Sequence, residues 1–165
     1  MVAIDNNGKV AVLQAARLYD LSHSNLAEHL RSLKAFYADP TIHAHPEDSC
    51  ICSAASAKKI TGKVAYSGDL WVRRDFRGRG IPKILATITR RVMFAMWAPD
   101  FSCALVQRWT LDKGVYETAH QEPGGAKLQL VEEGILEDNW LTWRTGEELR
   151  ELMDHSDQSE TIFSS

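Results

Sequence analysis

Apolar positions recur along this chain with two different periods, and the switches between them separate strands from helices. Near the N-terminus, the runs Val2 to Asp5 and Lys9 to Leu18 flank Asn6-Asn7-Gly8. Asn-Gly readily adopts the positive φ values of a tight turn, so the chain is expected to open on a β-hairpin. A helical period follows, in which Leu26, Leu30, Leu33 and Phe36 share one face. Asn25 with Glu28 makes a capping-box pattern, which predicts a helix from about Asn25 to Tyr37. Asp39-Pro40 ends it, because proline disfavours helical backbone in the residue before it.

Residues 41–49 are polar and contain Pro46, and they read as loop. Cys50 to Ala57 and Lys63 to Val72 are predicted strands separated by Thr61-Gly62. The longest periodic segment is Ile81 to Trp97, where Ile81, Ile84, Leu85, Ile88, Val92, Met93 and Met96 form a broad apolar face. Ala98-Pro99 closes this helix. Phe101 to Trp109 is a compact apolar run, suited to a strand beside Lys63 to Val72 after a right-handed crossover through the long helix. A short helix over Asp112 to His120, a turn at Gln121 to Gly125, and strands at Lys127 to Val131 and Asn139 to Trp143 follow. Thr145 and Glu148 repeat the capping-box pattern and open a helix through Met153. The polar tail from His155 is expected to be disordered.

At 165 residues and 44% hydrophobic content, the chain can bury one substantial core. One domain over residues 1–154 is the expectation. A net charge of −3 argues against general nucleic-acid binding, which calls for a strongly basic surface. Cys50, Cys52 and Cys103 are too few and too irregular for a disulfide framework, so reduced thiols are expected. Cys50-x-Cys52 and His43-x-His45 lack the loop lengths of zinc knuckles, and no metal site is predicted. No apolar run has membrane-spanning length and no signal-peptide pattern opens the chain, so no membrane association and a cytoplasmic location are expected.

The basic character is concentrated at one place. Leu70 to Leu85 reads as a short apolar strand, then Arg73-Arg74-Asp75-Phe76-Arg77-Gly78-Arg79-Gly80, then the start of the long helix. A glycine loop entering a helix N-terminus is an anion cradle, because the first amides of the helix lack intrahelical partners and the helix dipole favours negative charge. Gly78 and Gly80 let the backbone approach a phosphate closely, and Arg74, Arg77 and Arg79 attract it. The spacing fits neither the P-loop nor the dinucleotide fingerprint.

Arg77-Gly78-Arg79-Gly80-Ile81-Pro82 follows the pattern Arg/Gln-x-x-Gly-x-Gly/Ala, with proline in place of the last small residue. With Leu70-Trp71-Val72 before it, the segment resembles the acyl-CoA loop of the GNAT superfamily of N-acetyltransferases. The resemblance covers roughly residues 2–145 by element order and is motif-specific only at the loop. It implies an α/β (α+β) fold, with a mixed, mostly antiparallel central sheet flanked by helices, lacking the family's usual first strand and helices. It implies acetyl-CoA as acyl donor and an amine of a small molecule or peptide as acceptor. Arg77, Gly78, Arg79, Gly80, Ile81, Pro82 and Lys83 then hold the CoA pyrophosphate, and the backbone of Leu70, Trp71 and Val72 pairs with pantetheine. Pro82 has no N–H, which removes one donor from the family's set, although proline suits the first helical turn.

By the same resemblance, Tyr116 stands where the family often places a tyrosine acid for the CoA sulfur; the alternative is an ordinary packing residue. Tyr66 occupies about the position of the family's glutamate base. Asp69 is the nearest carboxylate on that strand and the candidate base, its alternative role being a strand bulge that bonds backbone. Glu47 and Asp48 are further candidates. Two other readings stay open: a non-catalytic acyl-CoA-binding sensor or subunit domain, and, less favoured, a nucleic-acid module using the Arg-Gly loop. The hairpin's open edge strand offers a surface for homodimer formation.

Overall fold

The computed structural model describes residues 1–114 and 119–161, with side chains through Asp154. Seven strands form one sheet: β1 (Val2–Ile4), β2 (Val10–Leu21), β3 (Ser49–Ile51), β4 (Gly62–Val72), β5 (Phe101–Val106), β6 (His120–Leu130) and β7 (Ile135–Thr145). Their order across the sheet is β1-β2-β4-β5-β7-β6-β3, and every neighbouring pair is antiparallel except β4 with β5. The helices are α1 (Leu26–Arg31), α2 (Pro40–His43), α3 (Ile81–Trp97), α4 (Arg108–Asp112) and α5 (Gly146–Thr161). The mixed, mostly antiparallel sheet with flanking helices is therefore the architecture expected from the sequence.

Several elements fall where local chemistry places them. The hairpin turn is held by Asp5, whose Oδ1 accepts from the amides of Asn7 and Lys9, both at 2.9 Å, with Gly8 at φ 74°. Asn25 caps α1 by accepting from the Glu28 amide at 3.0 Å. The capping box of α5 is complete: Thr145 Oγ1 accepts from the Glu148 amide at 3.2 Å, and Glu148 Oε2 accepts from the Thr145 amide at 2.8 Å. α3 starts at Ile81 with Pro82 in its first turn and stops at Ala98, whose φ of 40° precedes Pro99.

Other elements differ from expectation. The helix predicted to Tyr37 ends at Arg31, because Leu33 turns the chain at φ 60° and folds Leu33 and Ala35 back into the core. The strand predicted over Cys50 to Ala57 stops at Ile51. Beyond it the Ser53 and Ala54 amides share the Gly124 carbonyl, and the Glu122 carboxylate accepts from the Ala55 and Ser56 amides at 2.6 and 3.1 Å. Gln121 to Gly125 is not a turn but part of β6, with a register shift between Glu122 and Ala126. The short helix predicted over Asp112 to His120 lies earlier, at Arg108–Asp112, and His120 begins β6. The closing helix continues to Thr161, into the segment read as disordered; no glycine or proline interrupts it.

The core lies on the face of the sheet covered by α1, where Leu21, Leu26, Leu30, Ile60, Val64, Leu128 and Leu141 are buried together. Cys50, Cys52 and Cys103 are free and buried beside them. The opposite face, under α3, is more polar. Thr89 Oγ1 of α3 donates to Gln14 Oε1 at 2.7 Å, and Gln14 Nε2 donates to Ser67 Oγ at 3.1 Å. α3 consequently turns Ala86, Thr89 and Met93 inward, and leaves Ile84, Ile88, Val92 and Met96 exposed. The broad apolar face predicted for this helix is thus divided: only Met93 of that set is fully buried. No helix among the described residues is long and apolar enough to cross a membrane.

Candidate functional site

β4 and β5 run side by side for three residue pairs only, Val64 with Phe101, Ala65 with Ser102, and Tyr66 with Cys103. Beyond Tyr66 and Cys103 no pairing joins them, although β4 continues to Val72 and β5 to Val106. Their outer edges stay paired, β4 with β2 as far as Val72 and β5 with β7 as far as Val106. Only the inner edges part, which opens a cleft in the middle of the sheet.

The residue that bends β4 is Asp69. Its φ is 51°, and the ladder with β2 jumps from Gly68 opposite Ala15 to Trp71 opposite Leu13. A bulge of this kind increases twist and turns the strand from its neighbour. Asp69, the candidate base, therefore occupies a strand bulge and its side chain is exposed. Leu70, Trp71 and Val72 follow along the open edge, with Leu70 and Trp71 exposed.

β4 then delivers the chain to the basic loop. A short 3-10 turn, Arg74–Phe76, leads to Gly78 and Gly80 at φ 77° and 71°, and Gly80 is the N-cap of α3. Left-handed backbone at two positions is what requires glycine here. A Cβ added at either glycine would meet no protein atom within 4 Å, so the outer face of the loop is open to a ligand. Among the described residues, the amides of Gly78, Arg79, Gly80 and Ile81 have no hydrogen-bond partner. Pro82 has no amide hydrogen to give, and the Lys83 amide already bonds the Gly80 carbonyl at 3.1 Å. Four free donors at a helix N-terminus, flanked by Arg77 and Arg79, form a site fitted to phosphate oxygens.

The arginines have separate tasks. Arg73 is a clasp: its Nη2 reaches Asp5 Oδ2 at 2.7 Å and Asp75 Oδ2 at 2.9 Å, and its Nε reaches Asp75 Oδ1 at 2.8 Å. Its Nη1 donates to the Val10 carbonyl at 3.2 Å, and the guanidinium lies 4.9 Å from the Phe76 ring centre. The hairpin tip is thereby tied to the loop. Arg77 Nε donates to the Val72 carbonyl at 2.9 Å, and the Arg79 guanidinium lies 5.2 Å from the Phe76 ring centre.

The Arg73 hydrogen bonds hold both Asp5 and Asp75 below the usual carboxylate range. Carboxylates lowered in the folded state stabilise it above their unfolded pKa, and the contribution disappears as pH falls through the folded value. Asp5→Asn is expected to lower the melting temperature at neutral pH. The gap from the parent protein should close as thermal melts are taken down to about pH 3 or below.

Tyr66 is half-buried at the apex of the cleft, 6.0 Å from Tyr19 between ring centres. Burial raises its phenol far above the ordinary value, so it is neutral at physiological pH. Asp48 is engaged elsewhere. It accepts from Tyr37 Oη at 2.6 Å, from the Val131 amide at 2.8 Å and from the His45 amide at 2.8 Å, anchoring the loop between α2 and β3. Glu47 is exposed in that same loop. Tyr116, the candidate acid, lies outside the described residues. Burial pushes the Cys50 and Cys103 thiols up to about 12, which removes them as nucleophiles.

Beneath the cleft, between α3 and the sheet, is a small cavity of about 40 Å³ lined in part by Ser67, Met93, Ala104, Ala119, Trp143 and Arg144. Beside it stands a pair that the sequence did not disclose. His120 Nε2 lies 2.6 Å from Glu148 Oε1, and the His120 ring stacks on Trp143 at 4.1 Å between centres. Burial acts to raise the Glu148 pKa, but hydrogen bonds from Thr145 and His120 outweigh it and hold the carboxyl below its ordinary value. The two residues are 28 positions apart, and only the second capping box hinted that Glu148 had a fixed place.

No family model matches the sequence, and no curated protein matches it. The fold is similar to that of several solved structures. One is a protein assigned as a phosphinothricin N-acetyltransferase, 16% identical with a TM-score of 0.45, over 87% of this chain and 68% of that one. Another is Arabidopsis thaliana NAA60 in complex with acetyl-CoA, 15% identical with a TM-score of 0.47, over 86% and 69% of the two chains. A third is Arabidopsis thaliana NAA60 in complex with a bisubstrate analogue, 11% identical with a TM-score of 0.40, over 79% and 98%.

Proposed function

We propose that this chain is an acyl-CoA-dependent N-acyltransferase that transfers acetyl from acetyl-CoA to an amine by direct attack in a ternary complex. The observation that carries this reading is the continuity of the β4/β5 cleft with the open, amide-lined loop at the start of α3. A phosphate at that loop places the rest of a long thioester along the unpaired edge of β4.

The residues divide the work accordingly. The amides of residues 78–81, with Arg77 and Arg79, bind the pyrophosphate of the donor, and Lys83 follows in the first turn of the helix. The backbone of Leu70 to Val72 pairs with the amides of pantetheine, as a short added strand. A β4 amide at the cleft polarises the thioester carbonyl, an interaction that strengthens as the oxygen gains charge in the transition state. No covalent intermediate is needed, which agrees with three cysteines buried away from the loop. Tyr116 is the proposed acid for the departing sulfur.

Titration calorimetry with acetyl-CoA and with CoA tests the reading. Saturable binding of both is expected, weakened by about tenfold in Arg77→Ala, the effect of one lost charge-assisted contact. Binding of neither would overturn it. Tyr66 on the central strand favours a second reading, a donor-binding module that does not catalyse. Donor binding with no transfer to any amine would establish that alternative.

A further inference from the structure

We propose that His120, held by Glu148 against Trp143, takes the proton from the acceptor amine; this rests on the acyltransfer reading above. The cross-strand register supplies the placement. Tyr66 pairs with Cys103, Cys103 with Trp143 and Trp143 with His120, so these residues form one row at the apex of the cleft. His120 stands two strand spacings from Cys103, roughly 10 Å at about 4.8 Å per strand. Trp143, on which it stacks, and Ala119, its chain neighbour, both line the cavity beneath the cleft. Among the described residues the buried Trp143 Nε1 has no hydrogen-bond partner, an unspent donor on the ring that His120 stacks against.

The dyad is built to move a proton. Glu148 Oε2 is fixed by the Thr145 amide at 2.8 Å, so Oε1 is aimed at the imidazole. A proton on Nε2, shared with this carboxylate, leaves Nδ1 as the basic nitrogen. Glu148 stabilises the imidazolium once it forms, and the buried Arg144 lies in the same cavity lining as Trp143. The other candidates are less suited. Asp69 stands beyond the apex row, at the bulge of β4, and burial raises the Tyr66 phenol.

The step balances as follows. The amine nitrogen attacks the thioester carbonyl carbon and forms the C–N bond, while its proton passes to Nδ1 of His120. Collapse of the tetrahedral intermediate breaks the C–S bond, the CoA thiolate takes one proton from the acid proposed above, and the imidazolium returns one proton to that acid through water. An amine and a thioester become an amide and a thiol, with His120 restored.

The test uses the full chain, acetyl-CoA and three probe amines, spermidine, tyramine and a tripeptide amide, with released thiol followed spectroscopically. His120→Gln is expected to lower kcat by about 100-fold or more, the range of a lost general base. Its CoA affinity by calorimetry and its KM for acetyl-CoA should be unchanged. Glu148→Gln should lower kcat by a smaller factor, and added imidazole should restore part of the turnover of His120→Gly, which a purely structural role would not allow. An active parent protein with His120→Gln within about twofold of it would overturn this proposal alone. A parent that binds CoA but acylates none of the three amines overturns the transfer reading, and this proposal with it.

Discussion

Gly80→Val is expected to weaken acetyl-CoA binding by at least about 100-fold while leaving the fold intact. Gly80 sits at φ 71° at the mouth of α3, and a β-branched side chain in left-handed backbone is strained by roughly 1 to 2 kcal/mol. Relief of that strain would swing the Arg79, Gly80 and Ile81 amides away from a common focus. If the backbone holds, the isopropyl group fills the open space that a phosphate must enter, since nothing else lies within 4 Å of the position. Either response removes several charge-assisted hydrogen bonds, each worth about 1.5 to 3 kcal/mol. Calorimetry measures the loss, and Gly8→Val is the matched control. Gly8 has a similar φ of 74° and similarly open surroundings, at the tip of the hairpin. It should share the destabilisation and keep the affinity.

The largest loss of stability is expected from Leu141→Ala, at about 2 to 5 kcal/mol. Leu141 is fully buried on β7 and lies in register between Leu105 of β5 and Glu122 of β6. The site is poorly able to collapse onto a cavity. Gly125 already approaches so closely that a Cβ there would stand 2.5 Å from the Leu141 amide nitrogen, and the Glu122 carboxylate is fixed to the turn at Ala55 and Ser56. Urea unfolding should show a lower midpoint with an unchanged slope, because the surface exposed on unfolding hardly changes.

Signals confined to a few neighbouring residues were legible in the sequence. Asn25 with Glu28 and Thr145 with Glu148 are both observed caps, and Pro82 and Ala98-Pro99 bound α3 as expected. The crossover from β4 through α3 to β5 was legible because two apolar runs separated by one long helix have few alternatives. What escaped was decided by contacts distant along the chain. Leu33 leaves the helix to enter the core, and β3 pairs with β6 at the far edge of the sheet. The α3 stripe looked like a core face, but the sheet beneath it presents Gln14 and Ser67, and Thr89 answers them. In the candidate site, the loop could be read from consecutive residues. The His120–Glu148 pair could not, since a strand and a helix must both be in place before the two side chains meet.

The parting of β4 from β5 also alters what kind of object the sheet is. Three strands, β1, β2 and β4, and four others, β5, β7, β6 and β3, are two leaves stitched by a seam of three residue pairs. Sheets usually present unpaired backbone at their margins, where it invites pairing with other chains. Here a stretch of unpaired backbone is turned inward instead, so a guest that carries amide groups can act as a missing strand. Such a guest would pair along the open edge of the β4 leaf, and binding would stiffen the sheet beside its seam.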